Sequence, residues 1–163
     1  MGYKIVANIP YHLTGKILSK FLTSINKPSR LVLMLQKEVV ERICAKAGNN
    51  SLLSLSVQYY GQPKIIARVP SSKFYPRPKV DSAILLISGL KQPAKEEEKK
   101  FWHLARIGFS NKRKTLVHNL SAGRVRDRDE LRNLFTKIGL PPLVRAQELE
   151  ISDWQKLVAE GLE

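Results

Sequence analysis

Apolar positions along this chain switch between two rhythms, and the switches mark its elements. Residues 3–11, Tyr-Lys-Ile-Val-Ala-Asn-Ile-Pro-Tyr, read as a short apolar strand running into a turn that holds an amide, a proline and an aromatic ring. Leu13, Ile17, Leu18, Phe21, Leu22 and Ile25 then recur at steps of three and four. That spacing predicts a helix over 13–25 with one apolar face. Asn26-Lys27-Pro28-Ser29 breaks it. Residues 30–36, Arg-Leu-Val-Leu-Met-Leu-Gln, are too short for an average helix and fit a strand buried on both faces. Strand, helix and buried strand in that order imply a parallel crossover within a wound α/β sheet.

The pattern continues with a helix over 37–47, which puts Val39, Val40, Ile43 and Cys44 on one face and is stopped by Gly48-Asn49-Asn50. Residues 51–60 support two readings: serines alternating with Leu and Val suit a strand, while Leu52, Leu55 and Tyr59 suit a helix. Residues 65–69 and 80–88 read as strands forming an antiparallel pair at the sheet edge. Between them, 70–79 (Pro-Ser-Ser-Lys-Phe-Tyr-Pro-Arg-Pro-Lys) is a stiff extended loop whose later prolines cannot join a ladder. Taken alone, its cations are those of a solvated surface loop.

A linker, 89–98, leads through the charged run 95–100 into a helical region. Phe101, Leu104, Ala105 and Gly108 mark one helix, and Leu116, Val117 and Leu120 a second, with Lys112-Arg113-Lys114 at their junction. Asp127 and Glu130 have capping-box spacing for a helix reaching Ile138, and Ser152 and Gln155 repeat it before a last helix. The organisation is thus an α/β unit over 1–88, the linker, and a basic helical unit over 99–163.

Composition adds a partner. The 163 residues hold 28 Lys+Arg against 14 Asp+Glu, a net charge of +14, which favours nucleic acid first and an anionic membrane surface second. The field is concentrated: 99–145 carry 12 basic and 3 acidic residues. No apolar run approaches the roughly 18 residues of a spanning helix, and no secretory leader pattern opens the chain. The single cysteine, Cys44, fits a small buried hydrophobe in a reducing compartment, so a cytoplasmic location is expected. His12, His103 and His118 lack partners at ligand spacing, and no metal site is expected.

Five segments stand in a telling order: Asn8-Ile9-Pro10-Tyr11, Met34-Leu35-Gln36-Lys37-Glu38-Val39, Phe74-x-Pro76-x-Pro78-x-Val80-Asp81-Ser82-Ala83, Phe109-x-x-Lys112-Arg113-Lys114-Thr115-Leu116, and Arg145-Ala146. Together they resemble the KsgA-type ribosomal RNA adenine dimethyltransferases. The resemblance implies the C-terminal half of a doubly wound, Rossmann-like α/β methyltransferase sheet followed by a small all-helical domain, and it favours the helix for 51–60. It further implies methyl transfer from S-adenosylmethionine to adenine N6, twice per base, on two adjacent adenines of small-subunit (16S) rRNA. The partner would then be that RNA or a pre-30S particle. By the same resemblance, the Asn8 side-chain carbonyl and the Pro10 main-chain carbonyl accept the two N6 hydrogens, while Tyr11 and Phe74 stack on the base. Asn8 also faces the cofactor, and Lys73, Arg77, Lys79, Lys112, Arg113 and Lys114 hold phosphates.

One departure from the family matters. Its cofactor rests on a glycine-rich turn after the first strand, yet no two of the nine glycines here lie closer than 13 positions. The opening strand resembles the family's fourth. The chain is therefore expected to be the C-terminal portion, inactive alone, with an exposed sheet edge that promotes association and with a separate N-terminal half as a further partner. Two other readings stay open: a non-catalytic RNA- or ribosome-binding protein, and a resistance-type 23S rRNA adenine methyltransferase, against which the Lys112–Leu116 segment speaks.

Overall fold

Strand β1 (Lys4–Asn8) lies parallel to β2 (Arg30–Gln36), in register from Lys4 opposite Arg30 to Asn8 opposite Met34. The structure, a computed structural model, describes residues 2–162. β2 has the bounds its apolar run predicts. Leu31, Leu33 and Leu35 are buried on one face, whereas Val32 and Met34 on the other are half-buried.

The crossover between these strands is a single 3-10 turn, Tyr11–Leu13, followed by α1 (Thr14–Leu22). Helix α1 is shorter than 13–25. The amide and hydroxyl of Thr23 both turn back to the Ser19 carbonyl, at 3.0 and 2.8 Å, and Ile25 falls beyond the helix at 88% exposure. Helix α2 (Lys37–Ile43) also ends early, and α3 (Leu52–Gln58) resolves the ambiguous stretch as helix. The Gln58 side-chain amide donates to the carbonyls of Ile43 and Ala45 at 3.0 and 2.8 Å, satisfying acceptors that the end of α2 leaves open. Burial raises the pKa of the half-buried Cys44 thiol.

Strands β3 (Gln62–Val69) and β4 (Ser82–Ser88) pair antiparallel, and the sheet order is β1-β2-β4-β3. β3 starts before Ile65 and takes in Pro63, which an edge strand tolerates because one side of it needs no donor. β4 starts later than Val80 because Asp81 serves the loop instead. The Asp81 Oδ1 accepts the Ser71 amide at 2.9 Å and its carbonyl accepts the Lys37 amide at 3.0 Å. Among the described residues β1 pairs on one side only, and Val6 on it is 79% exposed. An open, partly apolar strand edge remains.

Contacts divide the chain into two units: one holds the chain to Ala45 with Leu53–Gln92, the other Lys46–Leu52 and the chain from Pro93 onward. The second unit contains α4 (Lys95–Gly108), α5 (Leu116–Ala122), α6 (Arg128–Lys137) and α7 (Ile151–Ala159). Helix α4 begins at Lys95, within the stretch assigned to the linker, with Glu96, Glu97 and Glu98 placed against the positive end of its dipole. Asp127 caps α6, accepting the amides of Asp129 and Glu130 at 2.7 and 3.3 Å. At α7 the capping differs from expectation: the Glu150 amide donates to Asp153 Oδ2 at 3.1 Å, so Ser152 and Gln155 lie inside the helix.

The core of this unit centres on Trp154, fully buried with Phe101 at 6.5 Å and Phe109 stacked at 5.9 Å between ring centroids. Gly108 is what admits the indole, since a Cβ there would lie 2.4 Å from Trp154 Cη2. Segment 46–52 joins the same unit. The amides of Gly48 and Asn50 both donate to the Gln147 carbonyl, at 2.9 and 3.1 Å, and the Asn50 side chain donates to Leu149 at 2.8 Å. Among the described residues no helix is long and apolar enough to cross a membrane, and no His, Cys, Asp and Glu cluster could hold a metal ion.

Candidate base-binding cleft and nucleic-acid interface

The Asn-Ile-Pro-Tyr turn sits where β1 ends and the chain begins its crossover. A parallel sheet concentrates loops and helix starts at this end of its strands, and ligands bind there. Asn8, Ile9, Pro10 and Tyr11 line a cleft of about 300 Å³, with Phe74, Tyr75, Pro76 and Pro78 from the loop after β3 supplying the rest of its wall. That size is at the small end of ligand pockets, about 300–1,000 Å³, and suits a flat base. The lining is mostly apolar, and Asn8 is the one side-chain amide in it.

Each predicted residue can now be placed. Asn8 is exposed, and its side chain has no hydrogen-bond partner among the described residues. Tyr11 is half-buried, with its hydroxyl 3.1 Å from Ser82 Oγ, so the ring is braced against β4. The Pro10 carbonyl is not left open as expected, because it accepts the Leu13 amide at 2.9 Å to close the 3-10 turn. Ile9 went unnoticed in the sequence. Its amide is bonded to Met34 at 3.2 Å, its side chain is buried, and its carbonyl has no donor among the described residues.

Phe74 is half-buried on the loop between Pro70 and Asp81. This loop is tied at its root: besides the Ser71–Asp81 bond, Arg77 Nε donates to Ser71 Oγ at 3.1 Å. Arg77 thus serves as a brace as well as an exposed cation. Lys73 and Lys79 are exposed on the same loop.

Lys112, Arg113 and Lys114 are all exposed, on the turn between α4 and α5 of the helical unit. Asn119, which is buried, shapes that turn by donating from Nδ2 to the carbonyls of Gly108 at 2.6 Å and Asn111 at 3.0 Å. The Asn111 side chain accepts the Arg113 amide at 3.2 Å, and Thr115 caps α5 by accepting the His118 amide at 3.3 Å. Sequence reading passed over Asn119, although an asparagine beside the apolar positions Leu116, Val117 and Leu120 is a signal of a buried polar tie.

A parallel β-α-β unit extended by an antiparallel pair, with an Asn-Ile-Pro-Tyr turn at the strand end, defines a Rossmann-like methyltransferase sheet. The chain matches the ribosomal RNA adenine dimethylase family over residues 1–160, and it belongs to that family. It is 42% identical over 160 residues to the Ribosomal RNA small subunit methyltransferase A of Dehalococcoides mccartyi (strain CBDB1), covering 97% of this chain and 55% of the relative. The protein of the same name from Nostoc sp. (strain PCC 7120) is 40% identical over 163 residues, covering 94% and 59%. The chain spans about half the length of the curated relatives it matches. Among solved structures, a dimethyladenosine transferase from Plasmodium falciparum superposes with a TM-score of 0.78 at 25% identity, over 97% of this chain and 66% of that one. The 23S rRNA methyltransferase ErmE gives 0.77 at 18% identity over 97% and 64%, a likeness of fold.

Methyltransferases of this kind use S-adenosylmethionine in general, and the residues present do not make a cradle for it. Neither glycine nor a carboxylate lines the cleft, so backbone approach to the cofactor and a grip on its ribose are both missing there.

Proposed function

We propose that this chain forms the target-base and RNA-binding portion of an S-adenosylmethionine-dependent adenine N6-dimethyltransferase acting on two adjacent adenines of small-subunit rRNA. The carrying observation is the cleft itself, which puts the unpartnered Asn8 amide among Tyr11, Phe74 and three prolines. An adenine amine is a poor nucleophile because its lone pair is delocalised into the ring. Two acceptors on its hydrogens draw the nitrogen toward tetrahedral geometry and aim that lone pair. Asn8 Oδ1 supplies one acceptor. The Ile9 carbonyl supplies the other more readily than that of Pro10, which already receives the Leu13 amide.

Tyr11 and Phe74 stack on the base and offset the few kcal/mol of unstacking it from RNA. Lys73, Arg77 and Lys79, and separately the Lys112–Lys114 turn, hold phosphates and set orientation without reading sequence. The partner is small-subunit rRNA or a pre-30S particle. The remaining sheet strands, with the glycine-rich turn and the acidic residue for the cofactor, come from an N-terminal half that pairs with the open β1 edge.

Binding of adenosine 5′-monophosphate and inosine 5′-monophosphate tests the grip. Inosine presents an acceptor where adenosine presents N–H donors, so the adenosine nucleotide is expected to bind about tenfold more tightly, the worth of two hydrogen bonds. Asn8→Ala should cut that preference to about threefold, the share of the Ile9 carbonyl that it leaves in place, and equal binding by the unaltered chain would sink the proposal. With labelled S-adenosylmethionine and unmethylated small subunits, the chain is expected to transfer label only when the N-terminal half is supplied.

A further inference from the structure

Among the described residues Tyr75 is the most exposed large hydrophobic side chain, at 102%, and the base grip assigns it no role. It has no hydrogen bond, ring contact or cation contact among the described residues. An unpartnered tyrosine ring presents an aromatic area of about 150–250 Å² to water. Its position is nevertheless fixed. Pro76 and Pro78 restrict the backbone immediately after it, and the loop root is fastened by the Ser71–Asp81 and Arg77–Ser71 bonds at 2.9 and 3.1 Å.

The ring also stands at a defined place relative to the cleft. Both Phe74 and Tyr75 contribute to the wall, yet Phe74 has extended backbone (φ −117°, ψ 150°), and successive side chains of an extended segment point to opposite sides. Phe74 is half-buried and Tyr75 is fully exposed, as that alternation requires. Two rings on opposite sides of the backbone cannot stack on one face of one base. Tyr75 is flanked two positions away on each side by exposed cations, Lys73 and Arg77. An aromatic plate between cations, held on a stiff loop at the rim of a base cleft, is the arrangement that binds a stacked nucleotide and its phosphates.

We propose that Tyr75 is the stacking platform for the nucleotide next to the one in the cleft, so that the loop engages at least a dinucleotide step of single-stranded RNA. This rests on the reading of the cleft as an adenine site, and it makes Tyr75 a positioning residue for the neighbouring adenine while the first is held. The aromatic ring, not the hydroxyl, does the holding.

NMR titration of the full chain with adenosine 5′-monophosphate and with the dinucleotide ApA separates the two ideas. Tyr75→Ala is expected to weaken ApA about 5- to 150-fold more than it weakens the mononucleotide, the range for one lost stacked base. Tyr75→Phe should keep the affinity for ApA, and Phe74→Ala should weaken both ligands. An ApA loss in Tyr75→Ala no larger than its mononucleotide loss, alongside a weakened mononucleotide in Phe74→Ala, overturns the platform and leaves the cleft standing. Equal losses in Tyr75→Phe and Tyr75→Ala also overturn it, in favour of a hydroxyl contact. Mononucleotide binding indifferent to Phe74→Ala overturns the adenine cleft and the platform with it. Because the Tyr75 side chain is fully exposed, each of its variants is expected to fold as the unaltered chain does.

Discussion

Trp154→Ala is expected to destabilise the helical unit by about 3–5 kcal/mol, the range for emptying a buried aromatic site. Against a typical total of about 5–15 kcal/mol for a domain, that is a large fraction. The indole is fully buried between Phe101 and Phe109, and Gly108 on α4 has surrendered its side chain to make room for it. Trp154→Phe should cost considerably less. It retains an aromatic body and removes an indole N–H that is buried with no hydrogen-bond partner among the described residues. Urea unfolding followed by far-UV circular dichroism measures both, and a loss below about 1 kcal/mol for Trp154→Ala would show that the core collapses around the void.

The second large effect concerns affinity. Replacing Lys112, Arg113 and Lys114 together with alanine removes three exposed cations without touching a buried group. If each neutralises one phosphate of a single-stranded segment, the slope of log affinity against log salt falls in magnitude by about 2, from roughly 0.7 per phosphate. Between about 50 and 200 mM salt the unaltered chain should then lose about 20-fold more affinity for small-subunit RNA than the variant does. Parallel salt titrations of the two proteins, with equal slopes, would remove this turn from the RNA interface.

Much of the sheet was legible because its signals are local. The unbroken apolar run gave β2 its bounds, and the three-four spacing located α1. Where the reading drifted, tertiary contacts had the deciding role. Ile25 keeps the apolar rhythm but follows the residue at which Thr23 closes the helix. The strand read from Ile65 begins at Gln62 because Pro63 lies on an edge, where its missing N–H is harmless. Residues 51–60 carried two periods at once because Ser54, Leu55, Val57, Tyr59 and Tyr60 are all buried, so no solvent face imposes a single rhythm. At α7 two boxes compete within a few residues, and the side chain that reaches an amide is Asp153.

The cleft was legible in its polar and aromatic members, Asn8, Tyr11 and Phe74, through the motifs that carry the family resemblance, Asn-Ile-Pro-Tyr and Phe-x-Pro-x-Pro. Its main-chain chemistry was not. Which carbonyl of the turn is engaged depends on the 3-10 hydrogen bond to Leu13, and sequence gives no view of that bond. Asn119 was missed for a related reason, because its two acceptors lie 8 and 11 residues away on main-chain atoms.

The short segment 46–52 makes the helical unit discontinuous in sequence, so the chain passes between the units after Ala45, after Leu52 and after Gln92. A cut at the last of these does not release a self-contained module. The piece beginning at Pro93 leaves behind the partners of the Gln147 and Leu149 carbonyls. For grafting or chimera design, the unit of inheritance is therefore a loop and a tail together, and homologous exchange of the tail alone would join a foreign 46–52 loop to carbonyls it did not evolve with.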